Sequence, residues 1–277
     1  MTAHADIAGT APGRAAGIAF LRTVGREGAR PVLLLHGIGS NATSFAPMMA
    51  MLPASLDVIA WHAPGYGGSQ PLADPHPAPA GYAGALSRLL DALNVDRVVL
   101  AGHSLGCLFA ARFAVQNPQR VSALALLSPA LGYHVAPGGD LPPMVQSRID
   151  EIRTLGTAEF ADKRAARLLY QPQTKPALLA SVRNAMAAVD RDGYAQAAYA
   201  LGAGDLLADA TRIDTQTLVA VGAHDVVTPP ANARMLYAAL SQQAGYHEIP
   251  DAGHALPQED PAAVARLLMQ LIEASDA

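Results

Sequence analysis

Gly102-His103-Ser104-Leu105-Gly106 follows the apolar run Val98-Val99-Leu100-Ala101 and precedes a helical pattern that starts at Leu105. A strand, a tight turn and a helix form the setting in which G-x-S-x-G carries meaning. The turn is too sharp for side chains at its flanks, and it lifts one hydroxyl clear of a sheet, within reach of a base. The same spacing also occurs in incidental glycine-rich turns. The reading of Ser104 therefore depends on what the rest of the chain supplies.

A serine hydroxyl is a weak nucleophile until a base takes its proton, and the base works best when a third group orients it. His254, in Asp251-Ala252-Gly253-His254, lies past the last apolar run and before the final helix. Asp225, in Gly222-Ala223-His224-Asp225, directly follows the apolar run 217–221. Both positions fall at the carboxyl edge of a parallel sheet, where ligands bind in open α/β folds. Asp251 is the rival carboxylate, but three residues before His254 it is better placed to shape the turn. Asp214 precedes its strand and so belongs to the opposite edge. The plain alternative for His254 is a loop histidine satisfied by backbone.

An oxyanion needs preorganised donors. His36-Gly37-Ile38-Gly39 follows the run 32–35, which makes the backbone N–H groups of Ile38 and Leu105 the two candidates. His36 is expected to hold this loop. His36, Gly37 and His103 are also candidates to line the substrate pocket, with Tyr133, Met186 and Tyr194 from farther along the chain. The glycines of Pro64-Gly65-Tyr66-Gly67-Gly68-Ser69 invite a phosphate-loop reading, but the Lys-Ser/Thr ending is missing. No acidic residue follows a second strand as a dinucleotide site requires. A tight structural loop beside the site remains.

Runs at 17–23, 32–35, 57–61, 97–101, 123–127, 217–221 and 246–249 are mostly continuous rather than alternating, as parallel strands buried on both faces should be. Helical patterns fall near 44–52, 79–93, 105–117 and 232–240. A last helix follows Asp260 as its cap and Pro261 in its first turn, with Val264, Leu267, Leu268 and Leu271 on one face. The alternation predicts an α/β fold with a mostly parallel sheet flanked by helices. It breaks after Pro129. Val145, Ile149 and Ile152, then Leu179, Val182, Met186 and Val189, recur at helical spacing, and about 80 residues is too long for a bare loop. The expectation is a core of 1–132 and 212–277 with a helical insertion at 133–211, entered through a Pro/Gly-rich hinge at 136–143.

The chain has 277 residues, 51% hydrophobic and 15% charged, enough for a sizeable core. A net charge of −4 gives no basic footprint for nucleic acid. The single cysteine, Cys107, permits no intrachain disulfide and reads as a small buried hydrophobe. No Cys/His cluster has zinc-site spacing, so no metal is expected. No run approaches the ~18 apolar residues of a membrane span. The first 17 residues lack the basic and apolar regions of a signal peptide. A cytoplasmic protein with a frayed first dozen residues is expected, as a monomer or homodimer.

Together these motifs resemble the α/β-hydrolase superfamily. The residues that carry the resemblance are His36-Gly37-Ile38-Gly39, Pro64–Ser69, Gly102–Gly106, Asp225 and Gly253-His254. The chain order Ser104, Asp225, His254 is that superfamily's order rather than that of other triad folds. The resemblance implies an eight-stranded sheet with strand 2 antiparallel, a cap after strand 6, and cofactor-free acyl chemistry. A small to medium carboxylic ester or lactone is the expected substrate. Members that cleave halides or epoxides use Asp where Ser104 stands, which argues against both. Hydrolysis of a carbon–carbon bond or an enol-lactone in aromatic breakdown is the first alternative. Ala255 and Leu105 depart from the aromatic residue and methionine usual in the carbon–carbon hydrolases. Such a keto acid would need a cationic anchor, for which Arg148, Arg153, Lys163, Arg164, Arg167 and Arg183 are equal candidates. Lyase or perhydrolase chemistry on the same triad is a lesser alternative. A slow-hydrolysing ligand receptor is the alternative of another class.

Overall fold

The computed structural model describes residues 9–136 and 139–276. Eight strands form one sheet: β1 (Ala11–Ala15), β2 (Ile18–Thr23), β3 (Val32–Leu35), β4 (Val58–Trp61), β5 (Val98–His103), β6 (Val121–Leu127), β7 (Thr217–Gly222) and β8 (Gln243–Ile249). Their spatial order is β1-β2-β4-β3-β5-β6-β7-β8. β2 alone runs against the other seven strands, so β3 to β8 all end at one edge.

Side chains alternate between the two faces of a strand, so one continuous apolar run feeds two cores. Leu33, Leu35, Val98, Leu100, Leu124 and Leu126 face one core. Val32, Leu34, Val99, Ala101, Ala123 and Ala125 face the other. The described helices are α1 (Ala46–Met49), α2 (Pro79–Ala92), α3 (Leu105–Gln116), α4 (Pro143–Arg164), α5 (Pro176–Ala187), α6 (Arg191–Ala203), α7 (Leu206–Ala210), α8 (Pro230–Ala239), α9 (Leu256–Glu259) and α10 (Pro261–Asp276). Helices α2, α3 and α8 cover the first core, and α1, α9 and α10 the second. The start of α10 follows its sequence signals: the Ala263 N–H donates to Asp260 Oδ1 at 2.9 Å, and Val264, Leu267, Leu268 and Leu271 are buried.

The expectation of a frayed first dozen residues is corrected at Ala11 and Pro12, which lie in β1. Ala16 (φ 48°) and Gly17 (φ 77°) form a two-residue hairpin turn that pairs Ala15 with Ile18. Positive φ at both turn residues matches the twist of the flanking strands. The strand is an exposed edge with no apolar run of its own, which is why periodicity missed it. Residues 1–8 of that stretch, and Pro137 and Gly138 of the expected hinge, lie outside the described residues.

Between β6 and β7 the described residues form helices and no strand. Helix α4 is broken at Gly156 (φ 77°, ψ 167°) into two segments. Phe160, Met186, Tyr194 and Leu201 of this region join the first core above the carboxyl edge of the sheet. Helix α7 packs instead on α3 and α8. No described helix is long and apolar enough to cross a membrane.

Candidate active site

β5 ends at His103 beside the end of β6, and the chain turns at Ser104 directly into α3. Ser104 holds φ 54° and ψ −116°, a conformation that non-glycine residues adopt only when their surroundings impose it. The flanking glycines make this possible. A methyl group on Gly102 would collide with the Gly106 carbonyl, and one on Gly106 with the Leu35 carbonyl.

Three sheet-edge loops meet here. The loop after β8 brings His254 Nε2 to 3.0 Å from Ser104 Oγ. The loop after β7 brings Asp225 Oδ2 to 2.9 Å from His254 Nδ1. With the Nδ1–H donated to Asp225, Nε2 is left to accept the serine proton. All three residues are buried: 5% exposed for Ser104, 3% for Asp225 and 5% for His254. Burial alone would raise the Asp225 carboxyl. The His254 charge and hydrogen bond, with N–H donors from Thr228 and Val227, outweigh burial and hold it down at about 2. The carboxylate is thus built to stay ionised.

Both oxyanion-donor candidates stand next to the serine. Ile38 and Leu105 line a cavity of about 260 Å³ that opens over Ser104 and His254. Leu105 begins α3, where first-turn N–H groups have no partner within the helix and the helix dipole favours negative charge. The Gly37 backbone runs against the serine, so closely that a methyl there would lie 2.8 Å from Ser104 Cβ.

Tyr133, Met186 and Tyr194 line the same cavity. Gly37 and His103 line a second, smaller one of about 20 Å³ that also touches Ser104 and His254. His36 is corrected: it lines neither cavity. Its Nδ1–H donates to the Gly37 carbonyl at 2.9 Å, and its Nε2 accepts the Ala63 N–H at 3.0 Å. Burial pushes this imidazole down to about 3, so it stays neutral and ties two loops together. The glycine-rich segment 64–69 is a structural loop, with Ser69 Oγ donating to the His62 carbonyl at 2.7 Å. Cys107 is fully buried under the turn, which pushes its thiol well up from the ordinary value.

Three functional contacts escaped the sequence. Thr228 Oγ1 lies 2.9 Å from Asp225 Oδ2 and 3.2 Å from His254 Nδ1, while its N–H donates to Asp225 Oδ1 at 2.8 Å. The Asp-x-x-Thr spacing was a visible signal for this turn. His103 donates from Nε2 to the His254 carbonyl at 2.7 Å. Glu259 accepts N–H groups from Gly253 (2.6 Å) and Tyr170 (2.9 Å) and the Lys175 ammonium (2.8 Å), binding the His254 loop to the segment before α5. Nothing in the sequence separated Glu259 from an ordinary residue ahead of a helix cap.

A sequence model of the alpha/beta hydrolase fold matches residues 30–261. Among solved structures, the enol-lactonase from Burkholderia xenovorans LB400 superposes with a TM-score of 0.84 at 25% identity, covering 95% of this chain and all of that one. A thermophilic esterase from Thermogutta terrifontis gives 0.82 at 24% identity, covering 94% and 95%. Among curated proteins, the poly(3-hydroxyalkanoate) depolymerase of Ectopseudomonas oleovorans is 36% identical over 121 residues, 43% of this chain and 42% of that protein. The first curated relatives are matched over as little as 28% of their length.

Proposed function

Since this chain belongs to the alpha/beta hydrolase family, we propose that it is a serine hydrolase that cleaves a small to medium carboxylic ester or lactone through an acyl-enzyme on Ser104. The observation that carries this reading is the unbroken chain of contacts from Asp225 through His254 to Ser104, at 2.9 and 3.0 Å. Similarity to an enol-lactonase over that protein's whole length supports the ester-type bond.

In this reading Ser104 Oγ attacks the carbonyl carbon as its proton passes to His254 Nε2. Asp225 stabilises the imidazolium that forms. The new oxyanion takes hydrogen bonds from the Ile38 and Leu105 N–H groups, each worth about 3–4 kcal/mol in the transition state. The tetrahedral intermediate then collapses, and the leaving alkoxide takes the proton from Nε2. A water, deprotonated by the same nitrogen, attacks the acyl carbon and restores Ser104. The helical segment 133–211 serves as the lid over a core of 1–132 and 212–277. Its apolar side chains and the 260 Å³ cavity suit a compact acyl group.

A panel of p-nitrophenyl esters tests the reading, with Ser104→Ala as control. Wild type should turn over the short esters, and the variant should lose on the order of a millionfold in kcat. Equal rates for both proteins would overturn it.

A further inference from the structure

Among the described residues, three arginines and no aspartate or glutamate line the cavity over Ser104. Arg148 and Arg164 come from α4, on either side of its break, and Arg167 from the turn that follows. Most of the remaining wall is apolar, including Leu105, Leu131, Phe160, Leu168, Met186 and Leu201.

The three are not equivalent. Arg164 donates from Nε to Glu151 at 2.7 Å and lies over the Phe160 ring at 4.9 Å, so its charge is answered and its position fixed. Arg148 sits beside the Tyr194 hydroxyl, whose pKa burial raises, keeping the phenol neutral. Arg167 is exposed and donates to the Val226 carbonyl at 3.4 Å. Outside the cavity, Arg183 of α5 pairs with Asp162 at 2.6 Å, and Lys163 of α4 with Glu159 at 3.6 Å. Of the three cavity arginines, Arg164 thus has a carboxylate partner, while among the described residues Arg148 and Arg167 have no ion pair.

A guanidinium held against an apolar wall gains most from a carboxylate, whose two oxygens match its donors. We propose that the substrate carries a carboxylate in addition to its scissile bond. Arg148 grips that carboxylate, with Arg167 beside it, while the apolar wall packs the carbon chain between. This rests on the serine-hydrolase reading and sharpens its substrate class. Neutral alkyl esters are then turned over, but more slowly than half-esters or lactones of dicarboxylic acids.

The test compares p-nitrophenyl half-esters of glutaric, adipic and suberic acids with the same compounds capped as neutral methyl esters. The ratio of kcat/KM, anionic over neutral, is read within one protein, so a partly folded preparation cancels out. Wild type should favour at least one anionic ester tenfold or more, less so in 0.5 M NaCl. The ratio should fall towards one in Arg148→Gln, and Arg148→Lys should keep part of it. Arg183→Gln sheds the same charge outside the cavity and should leave the ratio unchanged. A ratio near one in wild type, or one insensitive to both Arg148→Gln and Arg167→Gln, overturns the proposal and leaves the serine-hydrolase reading standing. Calorimetry of monomethyl glutarate binding to Ser104→Ala reads the anion site without turnover. Binding that disappears in the Ser104→Ala/Arg148→Gln double variant supports the site even if no ester is cleaved. No binding counts against it.

Discussion

The His103 ring donates a 2.7 Å hydrogen bond to the backbone carbonyl of His254. The residue before the candidate nucleophile thus holds the loop of the candidate base, with the two rings 5.1 Å apart. Replacing His103 by Ala should lower kcat about fivefold, the worth of one hydrogen bond near 1 kcal/mol, with little change in KM. His103→Gln can still donate and should recover part of the loss. An unchanged kcat in His103→Ala would show that the loop needs no such tie.

Asp225 is expected to orient and stabilise the imidazole rather than exchange protons. Asp225→Asn should cost about 10⁴ in kcat. Thr228→Val keeps the backbone donors to Asp225 but removes the hydroxyl shared with His254, and about a tenfold loss is expected. The carboxyl, held down at about 2, contributes stability that is present above its ordinary value of 3.8 and lost only as pH falls through 2. Protonation of Asp225 should therefore take no part in any loss of kcat/KM at pH 4 and above. An acid loss above pH 4 that disappears in Asp225→Asn would count against this assignment.

The Glu259 carboxylate, fully buried, fastens the His254 loop to the segment that carries Tyr170 and Lys175. Glu259→Gln should cost about 2 kcal/mol of unfolding free energy, discounted because Lys175 is 27% exposed. It should also lower kcat more than it raises KM. A loss confined to stability would make the contact merely structural.

Two buried imidazoles make stability fall in acid. His36 and His103 are each pushed from 6.5 down to about 3 by burial. The unfolded chain binds these protons more tightly than the folded protein does. Stability is then complete above 6.5 and declines as pH falls towards 3, by about 1.4 kcal/mol per pH unit for each histidine. Urea titrations at pH 7 and pH 5 should show a clear drop in the unfolding midpoint, reduced in His103→Gln. Identical midpoints would contradict it.

The sheet was legible because buried parallel strands are written as continuous apolar runs, and only the exposed β1 escaped. Ser104, Asp225 and His254 were legible as neighbours because each directly follows a strand, and parallel strands deliver such loops to one edge. Thr228 and Glu259 were not, since their value lies in backbone N–H groups far away in sequence. Nor could the sequence choose among the arginines of segment 133–211. Which of them faces inward depends on the break at Gly156 and on how α4 and α5 pack, and neither follows from helical periodicity.

The 64–69 loop meets α6 through two glycines. A methyl group on Gly193 would collide with the Gly65 carbonyl, and one on Gly65 would lie 2.7 Å from the Gly193 Cα. Main chain rests on main chain, so these two positions gauge how low the roof sits above the sheet. Tyr194, the next residue, is part of that roof. A Gly193→Ala side chain therefore fits only if the 64–69 loop or α6 shifts. The spacing between this loop and the helix that carries Tyr194 is therefore set by two glycines, neither of which lines the cavity.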